Sequence, residues 1–299
     1  MNPIIRIIRW AQSRANAPRI AANPNPYGVH IRADLPYLDD GNPDHRLDVY
    51  SPLDSKAPLP VIVELHGGGY LSCFKEINAQ HGQYLASKGF HVVNMNYTLC
   101  PEGSLSTILN ELVDALTWVK AHGAEYSFDL SRLFLTGDSA GGHIVLLAAA
   151  IFTSGKFADF FGTRQPPVKI AGYAASCPEG SFDLKLLPKN LPSHMLWLIL
   201  HRYTFDKALV QHSSYEYYMD ENYPRIWYCS SPTDSLLYTH TRGMHEFMEA
   251  RGFPHIYREY ASRERKLDHV FNVLFPDYPE SRQANDDMVA FFNECSDRP

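Results

Sequence analysis

The sequence predicts an α/β fold: a mostly parallel, eight-stranded sheet with helices on both faces and a small lid insertion. Three observations lead there. From Val29 onward, short β-rich apolar runs alternate with amphipathic helical stretches, the order expected when helices serve as the crossovers of a parallel sheet. Two of the runs, Val61–Leu65 and Leu133–Thr136, carry apolar residues on both alternating faces, as strands covered from both sides must. The chain has 299 residues, 45% hydrophobic and 20% charged, which suits one large globular domain.

The elements follow in order. Residues 1–28 form a basic segment apart from the main domain at 29–299. Arg6, Arg9, Arg14, Arg19 and Arg32 precede the first acid, Asp34. Ile4, Ile5, Ile8 and Ala11 fall near one helical face, with Arg6 and Arg9 expected to turn away, so a helix packed on the body is predicted. Pro24, Pro26 and Gly28 then break the chain. Strands are expected at Val29–Ala33, Arg46–Ser51, Val61–Leu65, His91–Tyr97, Leu133–Thr136, Ile170–Ala175, Ile226–Ser230 and His255–Tyr260. Helices are expected at Glu76–Ser87, Leu105–Ala121, Ala140–Phe152, Ser235–Arg251 and Pro279–Glu294. In the second helix, Ile108, Leu112, Ala115, Leu116 and Val119 recur at three and four residues. No helix separates the first two strands, so an antiparallel start is predicted. Between Pro178 and Pro224 no strand is evident, yet aromatics are dense, Trp197, Tyr203, Tyr215, Tyr217 and Tyr218 among them. An insertion of that length in a compact fold usually serves function, and a lid over about 178–224 is expected.

Composition excludes several classes. A net charge of −6 and a pI near 6.1 argue against nucleic-acid binding. The longest apolar run, Ile144–Phe152, falls far short of the ~20 residues of a membrane span, and one basic helix alone makes no stable anchor. The arginines interrupt any secretory signal core. Five cysteines without a CxxC pair suggest reduced thiols and a cytoplasmic location. No metal or organic cofactor is expected, and a homodimer is compatible with everything in the sequence.

The strongest local signal is Gly137-Asp138-Ser139-Ala140-Gly141-Gly142, placed between a strand and an apolar helix. That is the setting of a G-x-S-x-G nucleophile elbow, whose small neighbours let strand and helix meet while the serine hydroxyl projects outward. The second signal, His66-Gly67-Gly68-Gly69-Tyr70 after Val61–Leu65, frees backbone N–H groups to converge on a developing oxyanion. A serine needs a base and an orienting acid, expected in the order Ser, Asp or Glu, His. Asp234 and His269 both follow strands, at the edge where Ser139 emerges. Asp268, Asp220 and Glu221 are weaker candidates for the acid. Glu102 suits a structural role in holding the elbow, Asp138 local hydrogen bonding, and His143 packing behind the site.

These motifs resemble those of the α/β-hydrolase superfamily, specifically the hormone-sensitive-lipase-like esterases. His66–Gly69 matches its HGGG, Gly137–Gly142 its GDSAGG, and Asn96–Glu102 is similar to its NYRLAPE. Arg46–Tyr50 also resembles carbohydrate esterases acting on acetyl or feruloyl groups. The resemblance implies hydrolysis of a small-molecule, short-acyl ester, with Ser139 as nucleophile, His269 as base and Asp234 as orienting acid. It further implies oxyanion donors at Gly68, Gly69 and Ala140. The acid here sits in Ser231-Pro232-Thr233-Asp234 and the base in His269-Val270-Phe271, each departing from the family wording. An acetyl or feruloyl esterase, an arylformamidase-like amidase, a serine peptidase and a non-catalytic binding module remain the alternatives.

Overall fold

The computed structural model describes residues 3–22, 25–54, 57–155, 157–182 and 212–296. Its strands are β1 (His30–Pro36), β2 (Arg46–Ser51), β3 (Leu59–Leu65), β4 (His91–Met95), β5 (Phe128–Asp138), β6 (Gly172–Ser176), β7 (Ile226–Ser230) and β8 (His255–Glu259). They form one sheet in the order β1-β2-β4-β3-β5-β6-β7-β8. β1 pairs antiparallel with β2 and β2 with β4, and every remaining pair is parallel. The antiparallel start has a simple cause: a strand followed by a short loop can only turn back, whereas a parallel neighbour needs a long crossover. The longer helices are α1 (Pro3–Ala22), α2 (Ala79–Ser87), α3 (Leu105–Ala121), α4 (Ser139–Ser154), α5 (Tyr238–Arg251) and α6 (Pro279–Ser296).

Side-chain alternation divides the core in two. Val61, Val63 and Leu65 join one apolar cluster, and Ile62 between them joins the other. The first cluster is covered by α3 and α4, the second by α2 and α6. The whole apolar stripe read from the sequence of α3 is buried, and Ser104 caps this helix by accepting from Thr107 N–H, a contact worth about 1 kcal/mol.

Some boundaries differ from expectation. β5 begins five residues early because Leu59 and Pro60 of β3 pair with Phe128 and Asp129 before a register shift. Asp129 accepts there from Ser131 and Arg132, a local pattern typical of turns rather than strands. α5 begins at Tyr238 rather than Ser235, since Asp234 takes the N–H groups of Leu236 and Leu237. α1 forms, and only part of its expected inner face is turned inward. Ile5 is buried and Ile8 half-buried, whereas Ile4 is exposed. Arg9 points inward rather than away, donating to Leu71 O at 2.7 Å, Cys100 O at 3.0 Å and Glu102 Oε2 at 2.6 Å. Glu102 therefore fastens α1 and not the elbow. Of the expected lid, residues 183–211 lie outside the described part. Among the described residues, no helix is long and apolar enough to cross a membrane.

Candidate active site

Three loops at the carboxyl edge of the sheet bring the sequence candidates together. β5 ends at Asp138 and α4 begins at Ser139, whose φ of 51° marks a strained turn. The turn works only with small neighbours: a Cβ on Gly141 would sit 2.2 Å from Leu65 O. Ser139 Oγ lies 2.9 Å from His269 Nε2, and His269 Nδ1 lies 2.9 Å from Asp234 Oδ2. The other Asp234 oxygen accepts from Leu236 N at 2.8 Å and Leu237 N at 3.0 Å, which fixes the carboxylate plane. Asp268 is occupied elsewhere, by Lys266 Nζ, Ser235 and its own neighbour's N–H.

The charges follow from this geometry. Burial acts to lower the basicity of His269, but attraction and a hydrogen bond to Asp234 outweigh it, and the imidazole sits above its ordinary value. Burial acts to raise Asp234, and His269 with the two N–H donors holds it below the ordinary carboxylate range. Asp138 behaves oppositely. Burial pushes it up to about 6, although Asn78 Nδ2 donates to it at 2.7 Å.

Asp138 also ties the elbow to the glycine loop, because its Oδ1 accepts from Gly67 N at 3.0 Å. Gly68 has φ of 109°, and a Cβ there would meet Ser72 O at 2.1 Å. Among the described residues, the N–H groups of Gly68 and Gly69 meet no acceptor. His66 is buried and stacked on Tyr97 with centroids 4.3 Å apart; burial brings its pKa down to about 4, so it is neutral packing for the loop. His143 lies behind the elbow, accepting from Tyr70 OH at 2.8 Å and donating to Ser213 O at 2.6 Å.

Ser139, His269, Ala140, Gly68 and Gly69 all line one cavity of about 280 Å³. Its remaining walls include Phe182, Leu237 and Leu274, and also Ile8, Gln12 and Asn16 of α1. Sequence reasoning missed this last wall. The signal was present, since Gln12 and Asn16 continue the helical face of Ile5 and Ile8, but both are polar and fall outside an apolar stripe. Because Arg9 locks that wall in place, Arg9→Ala is expected to raise KM for a short p-nitrophenyl ester severalfold with a smaller change in kcat. Steady-state kinetics would show it, and a loss confined to kcat would contradict it. Glu179 was also missed; it lines the cavity and follows β6, a place with no motif. Of the described lid aromatics, Tyr215, Tyr218 and Tyr223 are buried in the core, with Tyr223 OH on Leu146 O at 2.9 Å, and Tyr217 is exposed.

A mostly parallel sheet with a GDSAGG elbow after β5, an HGGG loop after β3 and a hydrogen-bonded Ser–His–Asp line at its carboxyl edge is that of an α/β-hydrolase of the hormone-sensitive-lipase-like esterase class. The family model BD-FAE matches residues 47–241, more than half of the chain, and the chain belongs to that family. Esterase B from Lactobacillus rhamnosis superposes with a TM-score of 0.89 at 26% identity, covering 99% of this chain and 97% of that one. The same esterase inhibited by a C4-C4 SN3 tributyrin phosphonate gives 0.85 at 27% identity, covering 96% and 93%. In sequence, a probable isoprenylcysteine alpha-carbonyl methylesterase of Arabidopsis thaliana is 33% identical over 118 residues, 40% of this chain and 24% of that protein. A probable carboxylic ester hydrolase of Mycobacterium tuberculosis, LipM, is 32% identical over 141 residues, 46% and 32% respectively. The matched part thus spans about a quarter to a third of the length of these curated relatives.

Proposed function

We propose that this chain is a serine carboxylesterase for small, short-acyl esters, working through an acyl-enzyme. The observation that carries the reading is the line from Ser139 through His269 to Asp234, with Ser139 opening into the cavity. His269 Nε2 takes the Ser139 proton as Oγ attacks the ester carbonyl, and Asp234 stabilises the imidazolium that forms. The N–H groups of Gly68, Gly69 and Ala140 receive the oxyanion, each such donor being worth about 3–4 kcal/mol. His269 then protonates the leaving alcohol, and water repeats the sequence to free the acid.

The size of the cavity supports a small substrate. At about 280 Å³, it lies just below the range of ligand pockets, about 300–1,000 Å³. The tributyrin phosphonate bound by the similar esterase B points the same way. A cytoplasmic location belongs to the same proposal, supported by five scattered cysteines without a CxxC pair. Turnover of p-nitrophenyl acetate, butyrate and octanoate tests the reading: kcat/KM is expected to be high for the first two and to fall for octanoate. A folded protein silent on all three would defeat it. A second reading, an ester on a sugar hydroxyl, has Glu179 in its favour, since a carboxylate in the cavity wall can accept from a second hydroxyl. Release of acetate from acetylated oligosaccharides faster than from simple esters would favour it.

A further inference from the structure

A separate cluster of chemistry-bearing side chains lies far from Ser139. β8 starts at His255, so this residue sits at the amino edge of the parallel sheet, opposite the edge that carries the hydrolytic site. α5 ends beside it, and the chain turns at Gly252, where φ of 67° permits a tight reversal. The turn brings His245 and Glu249, one helical turn apart on α5, against His255. His245 Nδ1 is 2.9 Å from His255 Nε2, and Glu249 Oε1 is 3.6 Å from the same Nε2. All three donor atoms lie within 4.8 Å of one another.

The protons favour a ligand between them. His255 Nδ1 donates to Phe253 O at 2.8 Å, which fixes that ring and leaves Nε2 of the neutral form bearing a lone pair. This is the outer hydrogen bond that metal-binding imidazoles usually make. The rings are held from outside, with Tyr257 4.7 Å from His245 and Tyr228 stacked on His255 at 5.9 Å between centroids. The His255 side chain is 3% exposed, whereas Glu249 is 66% exposed, so the site is walled on one side and open to solvent on the other. Burial and the neighbouring His255 both lower the basicity of His245.

We propose that His245, Glu249 and His255 form a structural site for a zinc-class dication, with water completing the coordination. Two imidazoles and one carboxylate are a donor set that zinc and its late first-row neighbours accept. Tetrahedral bonds of about 2.0–2.1 Å place donors roughly 3.3 Å apart. The observed 2.9 and 3.6 Å each need a few tenths of an ångström of adjustment, and the remaining pair, His245 with Glu249 and within 4.8 Å, closes by rotation of the exposed Glu249 side chain. On binding, the one proton of neutral His245 moves from Nδ1 to Nε2 by exchange with solvent, so that His245 Nδ1 and His255 Nε2 both present lone pairs to the ion and no net proton is released. The ion would clip the end of α5 to β8, an edge strand of the sheet. The spacing His-x3-Glu-x5-His matches no metal motif, and the fold alone assembles it.

Chelator-treated protein titrated with Co²⁺ and Zn²⁺ tests the proposal. The wild type is expected to show the visible bands of tetrahedral Co²⁺, displaced by one equivalent of Zn²⁺, and a melting temperature raised several degrees by Zn²⁺ and restored by chelator. Glu249→Gln, at an exposed position, is expected to weaken Co²⁺ binding at least about tenfold, the low end of what losing even an outer partner costs. His245→Gln is expected to abolish the bands and the shift. Hydrolytic activity is not the readout, because Cys177, Asp234 and His269 could also take zinc. Bands that survive unchanged in both variants, or a folded wild type that binds neither ion, would overturn the site.

Discussion

Ser139→Ala is expected to lower kcat on p-nitrophenyl butyrate by on the order of 10⁶-fold, the size seen when a serine nucleophile is removed elsewhere. That corresponds to about 8 kcal/mol of transition-state stabilisation. The effect on folding is small by comparison. The side chain of Ser139 is half-buried and its hydroxyl bonds His269, so the deletion removes a contact worth about 1 kcal/mol. The strained turn also remains, because the backbone conformation is set by the glycines around it. His269→Ala is expected to cost nearly as much, and the double variant no more than either, since nucleophile and base act as a unit. A phosphonate probe should add its mass to the wild type and not to Ser139→Ala. Retention of more than a trace of turnover, with the probe still attached, would move the nucleophile elsewhere and take the esterase reading of this site with it.

How much of this was legible in the sequence follows from where the determinants sit. The elbow and the glycine loop were legible because their constraints are local: Gly141 must clear Leu65 O and Gly68 must clear Ser72 O, so small residues stand in unbroken runs. The strands β2 and β7 and the helix α3 were read to their ends, the strands from continuous buried runs and the helix from its periodic apolar stripe. The inner face of α1 was not. Its apolar residues Ile4, Ile5, Ile8 and Ala11 spread over a broad arc, and which part of that arc turns inward is decided by acceptors distant in sequence, Leu71 O, Cys100 O and Glu102. An arginine that satisfies buried carbonyls looks, in sequence, like one facing water. The same reasoning covers Asp138. Nothing local shows that its carboxylate bridges Gly67 to Asn78 and thereby couples the loop to the elbow.

Asp234→Asn separates the geometry of the line from its charge. In the wild type, His269 Nδ1–H donates to Asp234 Oδ2, leaving Nε2 free to take the Ser139 proton. An asparagine turned with its amide nitrogen toward the ring would donate to Nδ1 and force the proton onto Nε2, the wrong tautomer; kcat is expected to fall by about 10⁴-fold. The pH profile moves as well. His269 must be neutral to act as a base, so kcat/KM falls tenfold per unit as pH drops below its pKa, which lies above the ordinary 6.5. Burial lowers that pKa, and Asp234, with smaller help from Asp138 and Asp268, raises it. Without the Asp234 charge burial gains weight, so the acidic limb should shift to lower pH while the plateau drops. A structural role for Asp234 would lower the plateau and leave the limb where it was. Measuring kcat/KM from pH 5 to 9 for both proteins, with melting temperatures alongside, distinguishes the two: an unmoved limb in a folded Asp234→Asn protein would remove Asp234 from the line.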